Sequence, residues 1–330
     1  MYTEFYRLNG EPFLLTPDHR FYFESSVHSQ AMAHLTYGLR RGEGFIVITG
    51  EIGAGKTTLV KRLCSSIDSE RIAVAHVVTT QLDAYDLLRM VASAFGVKEA
   101  ADGKSGLLLR LQNFFEDVLR NESRALLIVD EAQNLPISAL EELRMLSNFQ
   151  VGNVAPFQSF LIGQPQFRSV LRNPDLEQLR QRVIATYHLG PMNRQECGDY
   201  LMYRLEQVGW NGDPSFEPGA IDAIFAYSGG IPRRINTLCN RLMLFGFLDD
   251  RHQFSADDVG RVIADLEAEN SEESDGRFSS SHLMRIPTTQ RQVTERIDGL
   301  EKRVAQQELS MRRVAIAVHD YLSGRPADHR

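Results

Sequence analysis

Apolar and polar positions change their rhythm three times along the chain. Between residues 45 and 189, short β-branched runs alternate with stretches of helical periodicity, which predicts a parallel α/β sheet. The runs at 45–49, 72–78, 125–130, 158–163 and 184–189 are the expected strands. Several are apolar almost throughout, as strands covered on both faces are. Helical spacing fills 56–66, 83–95, 105–120 and 138–149. From 193 to about 269 the strand signal stops. Asn193 with Glu196, and Ser255 with Asp258, have the spacing of capping boxes, and Gly229-Gly230 and Pro232 punctuate the segment between them. A small domain of about four helices is expected there.

Residues 270–290 are rich in Ser, Glu and Thr and poor in apolar residues, which predicts a flexible linker. Beyond it Val293, Ile297, Leu300, Val304, Gln307, Met311, Val314, Val318 and Tyr321 alternate spacings of four and three. That is the pattern of a coiled-coil helix with one polar layer at Gln307. An amphipathic helix lying on the body of its own chain has the same pattern. The expected organisation is therefore an N-terminal segment and core at 1–191, a helical domain at 192–269, a linker at 270–290 and a coiled-coil helix at 291–322.

A length of 330 residues suits about two domains, and 43% apolar content suffices for globular cores. The formal net charge is −7. Residues 271–330 hold ten Lys/Arg and nine Asp/Glu, a balance of +1 that leaves −8 for residues 1–270. A generally basic nucleic-acid binder is not what this balance describes. The three cysteines, Cys64, Cys197 and Cys239, form no Cys-x-x-Cys pair, so no disulfide framework or zinc site is indicated. The first residues lack the apolar run of a secretory signal, and no run of about 18 apolar residues occurs. The expectation is a cytoplasmic protein, with a peripheral place at the inner membrane left open.

The sharpest motif is Gly50-Glu51-Ile52-Gly53-Ala54-Gly55-Lys56-Thr57-Thr58, between an expected strand and an expected helix. It fits the P-loop pattern. Glycines let the backbone wrap phosphate oxygens, and the helix N-terminus favours an anion. Lys56 then faces the β- and γ-phosphates of ATP, and the Thr57 hydroxyl faces Mg²⁺. A second motif, Ala125-Leu126-Leu127-Ile128-Val129-Asp130-Glu131, delivers two carboxylates to the edge of the sheet where ligands of such sheets bind. Alone it also fits a helix N-cap. Beside a P-loop, it makes Asp130 the metal-side acid and Glu131 the group that polarises water. Asp130-Glu131-Ala132-Gln133 has helicase-box spelling, but the rest of the helicase set is missing.

Four more residues, at three places in the chain, belong to the candidate site. Gln164 follows the fourth strand, where an amide reaches a γ-phosphate or water, or is a turn residue before Pro165. Arg180 and Arg182 precede the fifth strand, as a finger for a neighbouring subunit or as a solvated basic face. Arg233 opens a helix of the small domain, reaching the nucleotide or standing as a surface charge.

On these residues, with Pro12-Phe13, Thr16-Pro17, His28 before the first helix, Gly163-Gln164-Pro165, Leu179-Arg180-Gln181-Arg182-Val183 and residues 230–236, the chain resembles the AAA+ ATPases of the general-secretion protein A family. The match covers residues 5–266. Within that family it looks most like the branch encoded with exosortase (PEP-CTERM) and exopolysaccharide loci. The resemblance implies a five-stranded sheet in the order 5-1-4-3-2 with a helical lid, sensor roles for Gln164 and Arg233, an arginine finger at Arg182, and a homo-oligomer. It also implies an ATPase acting with inner-membrane export or polysaccharide machinery. Secretion proteins of this family typically continue into a membrane span and a periplasmic peptidoglycan-binding domain. A polar linker and a heptad segment follow here instead, which favours the exosortase-linked branch. The same ATPase class includes DNA-bound regulators of transposition, the competing expectation, and a slow nucleotide-dependent assembly switch is a third. The negative body argues against a basic DNA-binding face, and Glu131 argues for real hydrolysis.

Overall fold

Five strands build one parallel sheet: β1 (Phe45–Gly50), β2 (Ile72–Val78), β3 (Arg124–Asp130), β4 (Phe157–Gly163) and β5 (Val183–Leu189). The computed structural model describes residues 1–16, 19–68, 70–78, 82–98 and 103–275. The strand order is β2-β3-β4-β1-β5, the expected order read from the other edge. Every strand begins and ends within one residue of its sequence-predicted position. The helices are α1 (Tyr2–Phe5), α2 (Ser26–Arg41), α3 (Lys56–Ser65), α4 (Ala84–Ala94), α5 (Gly103–Arg120), α6 (Ile137–Leu146), α7 (Phe167–Val170), α8 (Glu177–Arg180), α9 (Arg194–Glu206), α10 (Pro218–Ser228), α11 (Pro232–Leu248) and α12 (Ala256–Asp275).

The three central strands are buried because both sheet faces are covered. Phe45, Val47, Leu127, Val129, Phe157 and Leu161 share one apolar cluster with Leu88 of α4, Leu111 of α5 and Leu143 of α6. Their alternate neighbours Ile46, Ile48, Leu126, Ile128, Phe160 and Ile162 meet Leu35 of α2 and Leu59 of α3. The period-two alternation of side chains thus divides each strand between two cores. The C-terminal ends of β1, β3 and β4 lie at one edge, where the site is built.

Helix α2 escaped the sequence pattern. Its buried face is His28, Ala31, Leu35 and Gly38, a stripe with only one large apolar residue. His28, expected before the first helix, lies inside its first turn, behind the N-cap Ser25.

The segment after 193 is helical as expected, with α9 to α12. The Asn193 capping box forms, and Ser255 and Asp258 also bond reciprocally. The strand signal does not vanish altogether. The two-residue strands β6 (Ser215–Phe216) and β7 (Gln253–Phe254) pair in parallel, too short to leave a run in the sequence. The N-terminal residues, grouped by sequence with the α/β core, send Tyr2, Tyr6, Phe13 and Phe21 into the helical cluster beside Leu201, Leu238 and Phe254. Residues Met1–Glu267 form one compact unit. Helix α12 runs on through Asp275, over the first six residues of the expected linker. A Glu-rich stretch reads as linker by polarity yet has good helix propensity. The rest of the linker and the heptad segment lie outside the described residues. Among the described residues no helix is long and apolar enough to cross a membrane.

Candidate nucleotide site

Strand β1 ends at Gly50 and the chain turns through residues 51–55 into α3. Gly53 and Gly55 hold φ of +82° and +95°, in the left-handed region that favours glycine. A Cβ at 53 would lie 2.2 Å from Cβ of Arg233, so the loop needs glycine there for space as well. Lys56 is buried at 6% exposure and donates from Nζ to the carbonyls of Gly50 (2.8 Å) and Glu51 (2.9 Å). Burial lowers the pKa of its ammonium, while the carboxylates of Glu131, Asp130 and Glu51 oppose that shift. Thr57 Oγ1 donates to Asp130 Oδ2 at 2.8 Å, which joins the two sequence motifs physically.

Glu131 follows Asp130 in a left-handed conformation, φ 54° and ψ 39°. Its backbone N–H donates to Asp130 Oδ1 at 2.9 Å. Gln164 Nε2 donates to Glu131 Oε2 at 3.1 Å. The end of the fourth strand therefore brings Gln164 to Glu131, a contact the sequence did not predict. Glu51, Ile52, Ala54 and Thr58 complete the loop and first turn, with Ile52 exposed at the mouth.

Arg233 lines the same cleft, and its backbone N–H donates to Gly53 O at 3.2 Å. Arg182 is not brought to the site of its own chain. Its carbonyl accepts from Phe45 N at the start of β1, and its guanidinium donates to Ser147 O at 3.0 Å. Strand β1 separates it from the P-loop by roughly 17 Å. Arg180 pairs with Glu177 on its own helix.

The rest of the cleft, about 240 Å³ in all, comes from residues outside the P-loop and the acidic motif. Leu14, Phe21 and Tyr22 of the N-terminal segment face Met192, Tyr200 and Pro232. The guanidinium of Arg204 orders this wall. It donates to Pro12 O and to Leu14 O (3.1 Å) and lies 4.3 Å from the Phe21 ring centre. Tyr200 in turn donates to Asn236 Oδ1 at 2.9 Å. His28 braces the P-loop from the other side, with Nε2 3.1 Å from Ala54 O and Nδ1 2.6 Å from Ser25 Oγ. Burial is the main cause that holds its pKa below the ordinary histidine value; the bond to Ala54 and the charge of Glu196 act the other way.

An apolar slot joined to a glycine-wrapped anion cradle, a lysine and two carboxylates is a nucleoside triphosphate site. Residues 39–171 match the family model described as the AAA domain. The chain carries an AAA+ ATPase. Over 262 residues it is 37% identical to general secretion pathway protein A of Aeromonas hydrophila, covering 78% of this chain and 47% of that protein. This ATPase thus spans about half the length of the curated relative it matches. Among solved structures, the ORC2 protein of Aeropyrum pernix in its ADPNP–ADP complexes superposes with a TM-score of 0.56 at 18% identity, over 76% of this chain and 72% of that one. Cdc6p of Pyrobaculum aerophilum gives 0.60 at 16% identity, over 76% and 69%. Both are likenesses of fold. The AAA+ ATPase is also similar in sequence to a secretion-pathway protein.

Proposed function

We propose that the protein binds magnesium-ATP in this cleft, hydrolyses it through Glu131, and couples that cycle to work of the secretion-related or exopolysaccharide-export type at the inner membrane. The observation that carries the chemistry is the joined set Thr57–Asp130–Glu131–Gln164. Thr57 and Asp130 offer hard oxygen donors, which suit Mg²⁺ completed by phosphate and water. That ion would neutralise phosphate charge. No cluster of three or more His, Cys, Asp or Glu occurs among the described residues, so a cation here would depend on the nucleotide for its remaining ligands.

Lys56 is the cation nearest the β/γ-phosphate position, and the P-loop backbone supplies the anion cradle. Glu131 takes the proton of the attacking water as general base. Gln164, at the end of β4, orients the water or the γ-phosphate. Arg233 enters from α11, whose first turn is tied to Gly53, so it acts as the sensor of the helical lid. Arg182 faces away from its own P-loop and serves the site of a neighbouring copy, with self-assembly as the consequence. The secretion side of this reading rests on the 37% identity to general secretion pathway protein A. The exosortase-linked branch is the finer form of it, supported by the heptad spacing of residues 293–321.

Glu131→Gln tests the chemistry. It keeps shape and loses the base, so ATP affinity is retained while turnover drops roughly 10²-fold or more. Hydrolysis at the parent rate would show that another group activates the water. A second arm mixes Arg182→Ala with Lys56→Ala protein. Partial recovery of turnover is expected, because a mixed interface unites an intact finger with an intact cradle. If mixing restores nothing and specific activity is flat across protein concentration, the trans finger is wrong.

A further inference from the structure

Gln133 closes a bridge that neither the P-loop nor the acidic motif requires. Its Nε2 donates to Glu131 Oε2 at 2.6 Å, and its Oε1 accepts from the backbone N–H of Gln164 at 2.9 Å. Gln164 Nε2 donates to the same carboxylate oxygen at 3.1 Å. The three residues form one closed hydrogen-bonded ring across β3 and β4. The amide orientation is fixed by its partners. A flipped amide would set oxygen against the Glu131 carboxylate and nitrogen against an N–H donor. The seat is also sterically prepared: a Cβ on residue 163 would lie 3.0 Å from Gln133 Oε1, so Gly163 lets the amide sit over the end of β4.

We propose that Gln133 is a positioning residue of the hydrolytic step, holding the Glu131 carboxylate in register with the Gln164 backbone. This rests on the reading of Glu131 as base and adds the link between it and β4. A carboxylate on a short turn has several accessible rotamers, and a general base must sit within about 3 Å of its water. Gln133 removes that freedom by tying Glu131 to a buried strand. Movement of Gln164 with the γ-phosphate then moves Glu131 with it. Gln133 is not among the residues that line the cleft, so its removal should spare binding.

Single-turnover ATP hydrolysis by the full chain decides the matter. Gln133→Leu keeps the volume and removes both polar ends. The expected result is a rate lower by about tenfold or more with ATP affinity within about twofold of the parent. In a Glu131→Gln background the same substitution should change the residual rate less than about twofold, because residues acting as a unit are non-additive. Gln133→Glu, which keeps the shape but sets a like charge on Glu131, should also slow the chemistry, and it answers the question if the leucine protein does not fold. The proposal is overturned by a parent rate in either variant, by an equal loss in both backgrounds, or by an affinity that falls in step with the rate. A Glu131→Gln protein at the parent rate instead overturns the base itself, an outcome that involves no change at Gln133.

Discussion

The two ends of the nucleotide cleft are built by opposite means. The phosphate end is one unbroken stretch, Gly50 to Thr58, joined to Asp130 by a 2.8 Å hydrogen bond from Thr57. The other end is gathered from Leu14, Phe21 and Tyr22, then Met192, Tyr200 and Pro232, more than 150 positions apart in sequence. An anion cradle is made of backbone N–H groups, so glycine spacing specifies it locally. An apolar slot is made of side chains from several elements, so only tertiary packing specifies it. Substitutions should separate the two ends by the ligand whose binding they change.

The largest effect belongs to Lys56. Lys56→Ala removes the cation proposed to face the β/γ-phosphates and should lower affinity for ATP and for tripolyphosphate alike, by roughly a hundredfold or more, about 3 kcal/mol of charge-assisted hydrogen bonding. Titrating both ligands against parent and variant checks this. Unchanged affinity for either would remove the P-loop assignment from its central place.

That contrast also explains what was legible before the structure. The five strands, the P-loop and the paired acids depend on short-range spacing and could be read directly, whereas the contact of Gln164 with Glu131 joins residues from two strands and could not. His28 was visible only as part of a resemblance, because its helix has a weakly apolar stripe. Arg204 gave no signal at all. A buried arginine whose fork meets backbone carbonyls and an aromatic ring leaves no acidic partner in the sequence to pair it with. Gln133 stood in a recognisable spelling, but its bonds to Glu131 and Gln164 appear only once β3 and β4 lie side by side.

An intermediate effect is expected at Arg204. Arg204→Met keeps much of the side-chain volume, strands the buried carbonyl of Pro12, and leaves Leu14 O with only its 3.4 Å bond from Asn236 Nδ2. A buried carbonyl left unpaired costs about 1–3 kcal/mol, so a loss of that size in unfolding free energy is expected in urea melts. The wall that carries Leu14 loses its anchor, and ATP affinity should fall by about tenfold. Tripolyphosphate should bind as before, because the cradle is untouched. Equal losses for both ligands would mean that the two ends are not separable, and that the helical bundle supports the P-loop directly.

The smallest effect lies at the seam between the ends, where α2 meets both the P-loop and α9. Glu196 Oε1 accepts from Ser26 N at 2.6 Å while Glu196 Oε2 accepts from Asn193 N at 3.0 Å, so one carboxylate ties the starts of two helices. Burial raises its pKa, but the N–H bonds from Ser26 and Asn193 outweigh this and lower it overall. Its contribution is therefore lost only as pH falls below the ordinary carboxylate range, about 4.3. His28 titrates in a different window. Its folded-state pKa is depressed, chiefly by burial, so the stability it contributes is fully present above the ordinary value of about 6.5 and is lost as pH falls through the folded value. Tyr22 and Glu196 are the other titratable groups facing it. Between pH 7.5 and 5.5 the parent should therefore lose thermal stability faster than His28→Gln, with the two melting temperatures converging by a few degrees. Parallel slopes across that interval would mean that His28 accepts its proton without strain, and that Ala54 is held by something other than a neutral imidazole.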